Sequence, residues 1–227
     1  MSSPTLSAPV VRQLLPAVRA VVVLSVLLGI GYPLFVTGIA QLTMKDQADG
    51  SMIDRGSAPI GSSLIGQAFT EPILGANGQP RTNADGAVLT KPDPAYFQSR
   101  PSAAGAGYDP LSTSASNLAP TSPDLLAEVV QRRAEAASLD GTPAHQVPPD
   151  ALLASGSGLD PHISPDYADQ QVSRIARERG LDEAVVRKLV DDNTEGRTFG
   201  FIGEPRVNVL ELNLALDKAS GQGDGAD

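Results

Sequence analysis

The stretch from Ala20 to Met44, AVVVLSVLLGIGYPLFVTGIAQLTM, has 25 residues and no charged side chain. A helix of that length, at ~1.5 Å per residue, crosses a hydrocarbon core of ~30 Å with some tilt. The core helix of a soluble domain shows a polar face at 3.6-residue spacing, and no such face recurs through Val21 to Leu28. In lipid the backbone must satisfy its own polar groups, so the segment is predicted to be helical despite Gly29, Gly31 and Pro33. Pro33 lacks an N–H, which predicts a kink near Gly29.

The flanks orient this helix. Arg12 and Arg19 precede it, Lys45 follows it, and no acidic residue occurs before Asp46. Basic residues stay on the cytoplasmic side. The predicted organisation is therefore a cytoplasmic, disordered tail (1–13), a transmembrane anchor (14–45), an extracytoplasmic domain (46–219) and a disordered tail (220–227). A cleaved signal peptide is the alternative, with Gly38-Ile39-Ala40 as its cleavage site. The apolar run exceeds the ~7–15 residues of a signal peptide core, which favours a retained anchor. Both readings export the same domain. Ser25 and Gly29, and separately Gly31 and Gly38, are small residues spaced to let a second helix approach.

Charge then limits the partners. Three of the 17 basic residues and none of the 26 acidic ones lie in the first 45 positions, so the remainder carries 14 basic against 26 acidic residues, a formal charge of −12. Nucleic acid requires a basic footprint and is excluded. There is no cysteine, so disulfides and thiolate metal sites are excluded too.

The exported part reads as an α+β domain, helix-rich with a small sheet. Asp46 to Pro59 is a polar linker, and Ser62 to Phe69 a first strand with Gly66 at a bulge or close contact. Glu71 to Pro94 is an irregular loop whose Asn77-Gly78 and Asp85-Gly86 are turn signals, with one small hairpin expected around Ala87 to Thr90. Tyr96 and Phe97, in a chain of nine aromatics, form a packing anchor. Ser122-Pro123 starts a helix through about Ser138, Ser164-Pro165 one that stops at Gly180, and Asp182 one that ends near Asn193. Gly196 to Gly203 is a short strand or extended loop, and Val207 to Ala219 is predicted as helix because 13 residues is long for a strand.

Catalytic motifs are missing. No phosphate-binding GxxxxGK loop, no Asp-Lys-Thr-Gly and no nucleophile elbow occurs, and His145 and His162 lack metal-ligand spacing. Ser157, Asp160 and His162 would make a hydrolase triad on paper, but they crowd into six residues. ASGSGLDPHISP keeps two readings. Its N–H groups, with Ser155 and Ser157, could hold an anion or carbonyl at a helix N-terminus. Or it is a tight loop in which Asp160 caps local N–H groups. Glu195 and Arg197 could contact a partner or pair with each other on the surface.

Taken in order, YPLFVTGIAQL, SLIGQAF, YFQSRPSA, SNLAPTSP, ASGSGLDPHISP and NTEGRTFGFIGEPRVNVLELNLALD resemble the C subunit of the bacterial Kdp potassium-transporting P-type ATPase, from about residue 13 to 217. The resemblance implies a non-catalytic, single-pass accessory subunit of an inner-membrane complex. Its partners would be a potassium-channel-like subunit, an ATP-hydrolysing subunit and a small hydrophobic subunit. It also implies a catalytic chaperone that promotes ATP binding by the ATP-hydrolysing subunit. ATP would be shared with that subunit, and no cofactor is expected on this chain alone. Ser155, Ser157, Asp160, His162, Glu195 and Arg197 are the candidate nucleotide or subunit contacts. Direct ATP contact conflicts with an extracytoplasmic domain, so the effect on ATP is expected to act by coupling. The alternatives from other classes are a stand-alone membrane-anchored periplasmic ligand-binding module and an exported hydrolase.

Overall fold

The computed structural model describes residues 8–56 and 58–221, and the chain divides into two compact units after Met52. The first unit is helical: α1 (Ala8–Val26), a π turn (Leu27–Gly31), α2 (Tyr32–Thr43) and the single turn α3 (Lys45–Ala48). Residues 8–13 of the expected tail are the first turns of α1; residues 1–7 lie outside the described residues. Arg12 to Thr43 is a run of 32 helical residues, none of them buried, whose most apolar 18-residue stretch has a mean hydropathy of 2.2, which is long and apolar enough to cross a membrane. The π turn lies where Pro33 predicts a disturbance. Tyr32 donates its N–H to the carbonyl of Leu27, five residues back. Widening the helix there accommodates a proline that has no N–H to give to Gly29.

Beyond the helical unit, the described residues form three small sheets and four longer helices. β1 (Met52–Arg55) pairs with β2 (Ala58–Ser62), so part of the expected linker is a hairpin. The predicted strand from Ser62 to Phe69 is a turn-rich connection instead. Ser62 Oγ accepts the N–H of Leu64, and this local bond diverts the backbone from a ladder. β3 (Thr70–Pro72) pairs antiparallel with β4 (Thr90–Pro92), with Glu71 opposite Lys91. Between them the chain folds twice rather than once, through bridges Leu74–Pro80 and Thr82–Val88. Both turn signals act: Gly78 and Gly86 sit at φ +74° and +82°, and Asn83 Oδ1 accepts from Asp85 and Ala87.

α4 (Pro123–Asp140), α5 (Pro165–Arg179) and α6 (Glu183–Asp192) start on the side-chain caps Ser122, Ser164 and Asp182. α4 and α5 stop at left-handed Gly141 and Gly180. The stretch from Val207 is not wholly helix. β7 (Arg206–Asn208) comes first, and Asn208 then caps α7 (Val209–Ala219) by accepting from Leu210 and Glu211. β7 is the centre of a three-stranded antiparallel sheet between β5 (His162–Ile163) and β6 (Thr194–Glu195).

One core joins these elements. Val172 and Ile175 of α5, Val186 and Val190 of α6, Val207 of β7 and Leu212 and Leu216 of α7 pack together with Phe97. Phe97 is fully buried, as expected of the aromatic anchor. Tyr96 stacks on Phe69 with ring centroids 5.5 Å apart, and Arg179 Cζ lies over the Tyr96 ring, 4.3 Å from its centroid.

Candidate functional site

The loop ASGSGLDPHISP runs from Ala154 into β5 and α5, and serine side chains shape it. Ser155 Oγ accepts the N–H of Gly158 at 2.8 Å, and Ser157 Oγ accepts that of Leu159 at 3.1 Å. Asp160 Oδ1 accepts the backbone N–H of His162 at 3.0 Å. The loop therefore uses its own side chains to satisfy its own N–H groups. Its carbonyls are met from elsewhere: Ser157 O by Thr113 Oγ1 and Ser114 N, Gly158 O by Ser102 Oγ, Leu159 O by Gly66 N and Pro161 O by Val209 N.

Two glycines make this convergence possible. A Cβ on Gly66 would lie 2.4 Å from the Tyr108 ring and 2.8 Å from the carbonyl of Asp160. Gly158 has φ +69°, and a Cβ there would lie 2.7 Å from both Ala104 N and Ser114 O. Only glycine fits either position without movement.

Polar side chains gather on one side of the loop. Arg100 Nη1 meets Asp160 Oδ2 at 3.1 Å, and its Nε and Nη2 donate to the carbonyl of Leu153. His162 Nδ1 lies 3.1 Å from Asp160 Oδ1. Partial burial works against the Asp160 carboxylate, but the side-chain and backbone hydrogen bonds of His162 and the charge of Arg100 outweigh it and hold the carboxyl below its ordinary range. Tyr108 donates to the carbonyl of Arg100 at 2.7 Å, and burial pushes its phenol up to about 12. Arg100, Asp160 and His162 open onto a groove shared with Asp166, Glu204 and Arg206.

The groove does not contain a triad. Ser157 Oγ bonds Leu159 and approaches Ser155 Oγ at 3.4 Å, with no bond to His162. Among the described residues no cluster of three or more His, Asp or Glu could hold a metal ion.

Glu195 and Arg197 sit apart from the loop, on the β6–β7 hairpin, and they do not pair with each other. The antiparallel register sets Glu195 opposite Arg206, and these form an ion pair at 2.6 Å; Arg197 pairs with Glu204, also at 2.6 Å. Residues two apart on a strand are separated along it, so each finds its partner across the hairpin. Of the small residues in the apolar helix, Gly29 and Gly38 have nothing within 4 Å of an added Cβ, and Ser25 is exposed.

Sequence reasoning missed a second polar cluster, inside the core. Arg174 is fully buried; its Nε donates to Asp140 Oδ1 at 2.8 Å, its Nη2 to Gln171 Oε1, and its Nη1 to the carbonyls of Pro94 and Tyr96. Gln171 bonds both the N–H and the carbonyl of Gln98. Arg179 meets Ala95 O at 2.8 Å and Asp217 Oδ1 at 2.9 Å, and Arg55 meets the other oxygen of Asp217 at 2.6 Å. Gln171 and Arg174 lie three apart on the same face as Ala168, Val172 and Ile175. That placement among apolar residues was the available signal.

The comparisons with known proteins agree with this picture. The family model for K+-transporting ATPase, c chain, matches residues 14–218. A potassium-transporting ATPase KdpC subunit from Kineococcus radiotolerans is 49% identical over 193 residues, covering 85% of this chain and 87% of that protein. The corresponding subunits of Cereibacter sphaeroides and Mycobacterium tuberculosis are 47% and 44% identical, each over 91% of this chain and 97% and 98% of their own lengths. A match over nearly all of the chain, including the apolar helix, the Gly-rich loop and the β6–β7 hairpin, places it: the chain belongs to the KdpC family, the c chain of K+-transporting ATPases.

Proposed function

We propose that this chain is a membrane-anchored accessory subunit of a potassium-transporting ATPase, that it stabilises the assembly from the extracytoplasmic side, and that it promotes ATP binding by the ATP-hydrolysing subunit through coupling across the membrane. The family match over residues 14–218 carries the reading. The partners are the ATP-hydrolysing subunit, a channel-like subunit and a small hydrophobic subunit.

The geometry supports a scaffold rather than a nucleotide site. The N–H groups of Gly158, Leu159 and His162 are engaged by Ser155, Ser157 and Asp160, so the loop offers them to no phosphate. The Asp160 carboxylate, kept ionised, opposes an anion at the same place. The Arg12/Arg19 against Lys45 bias supports the outward placement.

Capture of the tagged full-length chain from a detergent extract tests the assembly role. Large polytopic pump subunits are expected in stoichiometric amounts; recovery of the chain alone would sink it. Coupling is tested by assembling the pump with and without this subunit. A raised apparent ATP requirement in its absence is expected, and an unchanged one would defeat that part.

A further inference from the structure

We infer that the tip of the β6–β7 hairpin is a docking contact for an apolar extramembranous surface of a polytopic subunit of the same pump. This rests on the assembly role proposed above and assigns it to named residues.

The tip, Thr198-Phe199-Gly200-Phe201-Ile202, leaves Phe199, Phe201 and Ile202 at 84%, 72% and 51% exposure. The chain has only five Phe in all, so exposing two of them within three residues is a large departure from burial. Backbone and side-chain bonds shape the display. Thr198 and Ile202 exchange hydrogen bonds at 2.9 and 3.0 Å, and Arg197–Glu204 and Glu195–Arg206 clamp the two arms below. Phe199 is held at φ +54°, a left-handed conformation that a bulky residue avoids. Strain at an exposed apolar residue gains no burial in return, which fits a residue kept for contact with a partner.

The observations select the occupant. Three such side chains offer roughly 400 Å² of apolar surface, against about 800 Å² per partner in a stable free-standing complex. A second copy met in solution is therefore disfavoured. A partner already held in the same membrane needs far less, because tethering raises its effective concentration. A lipid surface is disfavoured by charge. Residues 46–227 carry −12, and both arginines of the hairpin are spent on its own glutamates, leaving no cation at the tip for a phosphate headgroup.

The test places a photo-activatable p-benzoylphenylalanine at Phe201 in the full-length chain, co-expressed with the pump. Leu111, 96% exposed, takes the probe as control. Irradiation is expected to join position 201, and not position 111, to a polytopic pump subunit. Adducts only to a second copy or to lipid, or no adduct in chains that still co-purify with the pump, would overturn the docking site and leave the assembly role standing. Failure of the unsubstituted chain to co-purify would remove both. A Phe199→Gly change separates docking from folding. It relieves the left-handed strain, so the unfolding midpoint should hold or rise while retention on the pump after a detergent wash falls at least tenfold. Unchanged retention would overturn the inference.

Discussion

The side-chain amide of Asn213 and the backbone of Phe97 exchange two hydrogen bonds, Phe97 N–H to Asn213 Oδ1 at 2.9 Å and Asn213 Nδ2 to Phe97 O at 3.0 Å. The residues are 116 apart in sequence, and both are buried. A side chain of α7 thus does for Phe97 what a neighbouring strand would do, giving its donor and acceptor each a partner. Asn213→Leu leaves both backbone groups unpaired inside the core. At about 1–3 kcal/mol for each unsatisfied group, the variant should lose about 2–5 kcal/mol of stability, read by denaturant unfolding of the full-length chain in detergent. A loss under 1 kcal/mol would show that the bonds are replaceable.

Two glycines of the same loop should behave oppositely. Gly158→Ala meets φ +69° and contacts of 2.7 Å with Ala104 N and Ser114 O, whereas Gly156 has nothing within 4 Å of an added Cβ. Gly158→Ala should cost about 2 kcal/mol or more, from left-handed strain and a backbone clash. Gly156→Ala should lie within about 0.5 kcal/mol of the parent. Equal melting temperatures for the two variants would contradict the loop geometry.

Stability should respond to pH at both ends. The Asp160 carboxyl is lowered from its ordinary 3.8, so its contribution is complete above 3.8 and fades as pH falls through the lower folded value. Tyr108 is raised from 10.0 to about 12; its contribution is complete below 10 and fades as pH rises toward 12. Asp160→Asn should flatten the acid limb of the stability profile, and Tyr108→Phe the alkaline limb. Parallel profiles for parent and variants would remove both assignments.

The chain has no cysteine, so one introduced thiol reports topology cleanly. Leu111→Cys, at a position 96% exposed, should react with a membrane-impermeant maleimide in intact spheroplasts. Labelling only after lysis would reverse the proposed orientation.

Elements whose boundaries are encoded locally were legible. α5 begins at Ser164-Pro165 and ends at Gly180 because a cap, an N1 proline and a left-handed glycine each act within a few residues. The Asn-Gly and Asp-Gly turns were read for the same reason. Ser62–Phe69 alternates like a strand but meets no partner strand, whereas the close contact expected at Gly66 is present, with Asp160, 94 positions away. At Val207 the periodicity was helical, yet Asn208 caps α7 and frees Arg206–Asn208 to pair with β5 and β6. Within the site, the capping role of Asp160 could be seen from adjacent N–H groups. Its partnership with Arg100, 60 positions away, could not, and neither could the ring of Arg174, Gln171 and Asp140 around an aromatic segment.

Pro94 to Gln98 owes its order to side chains of α5 and α7. Arg174 and Gln171 bond Pro94, Tyr96 and Gln98, but both polar groups of Phe97 wait for Asn213, 116 positions later. During synthesis, therefore, Phe97 emerges 116 residues ahead of the side chain that pairs its backbone. Closing loops this long precedes the contacts that repay them, so docking is slow and comes late. A segment cut before Asn213 thus keeps α4 to α6 but leaves the donor and acceptor of Phe97 unanswered.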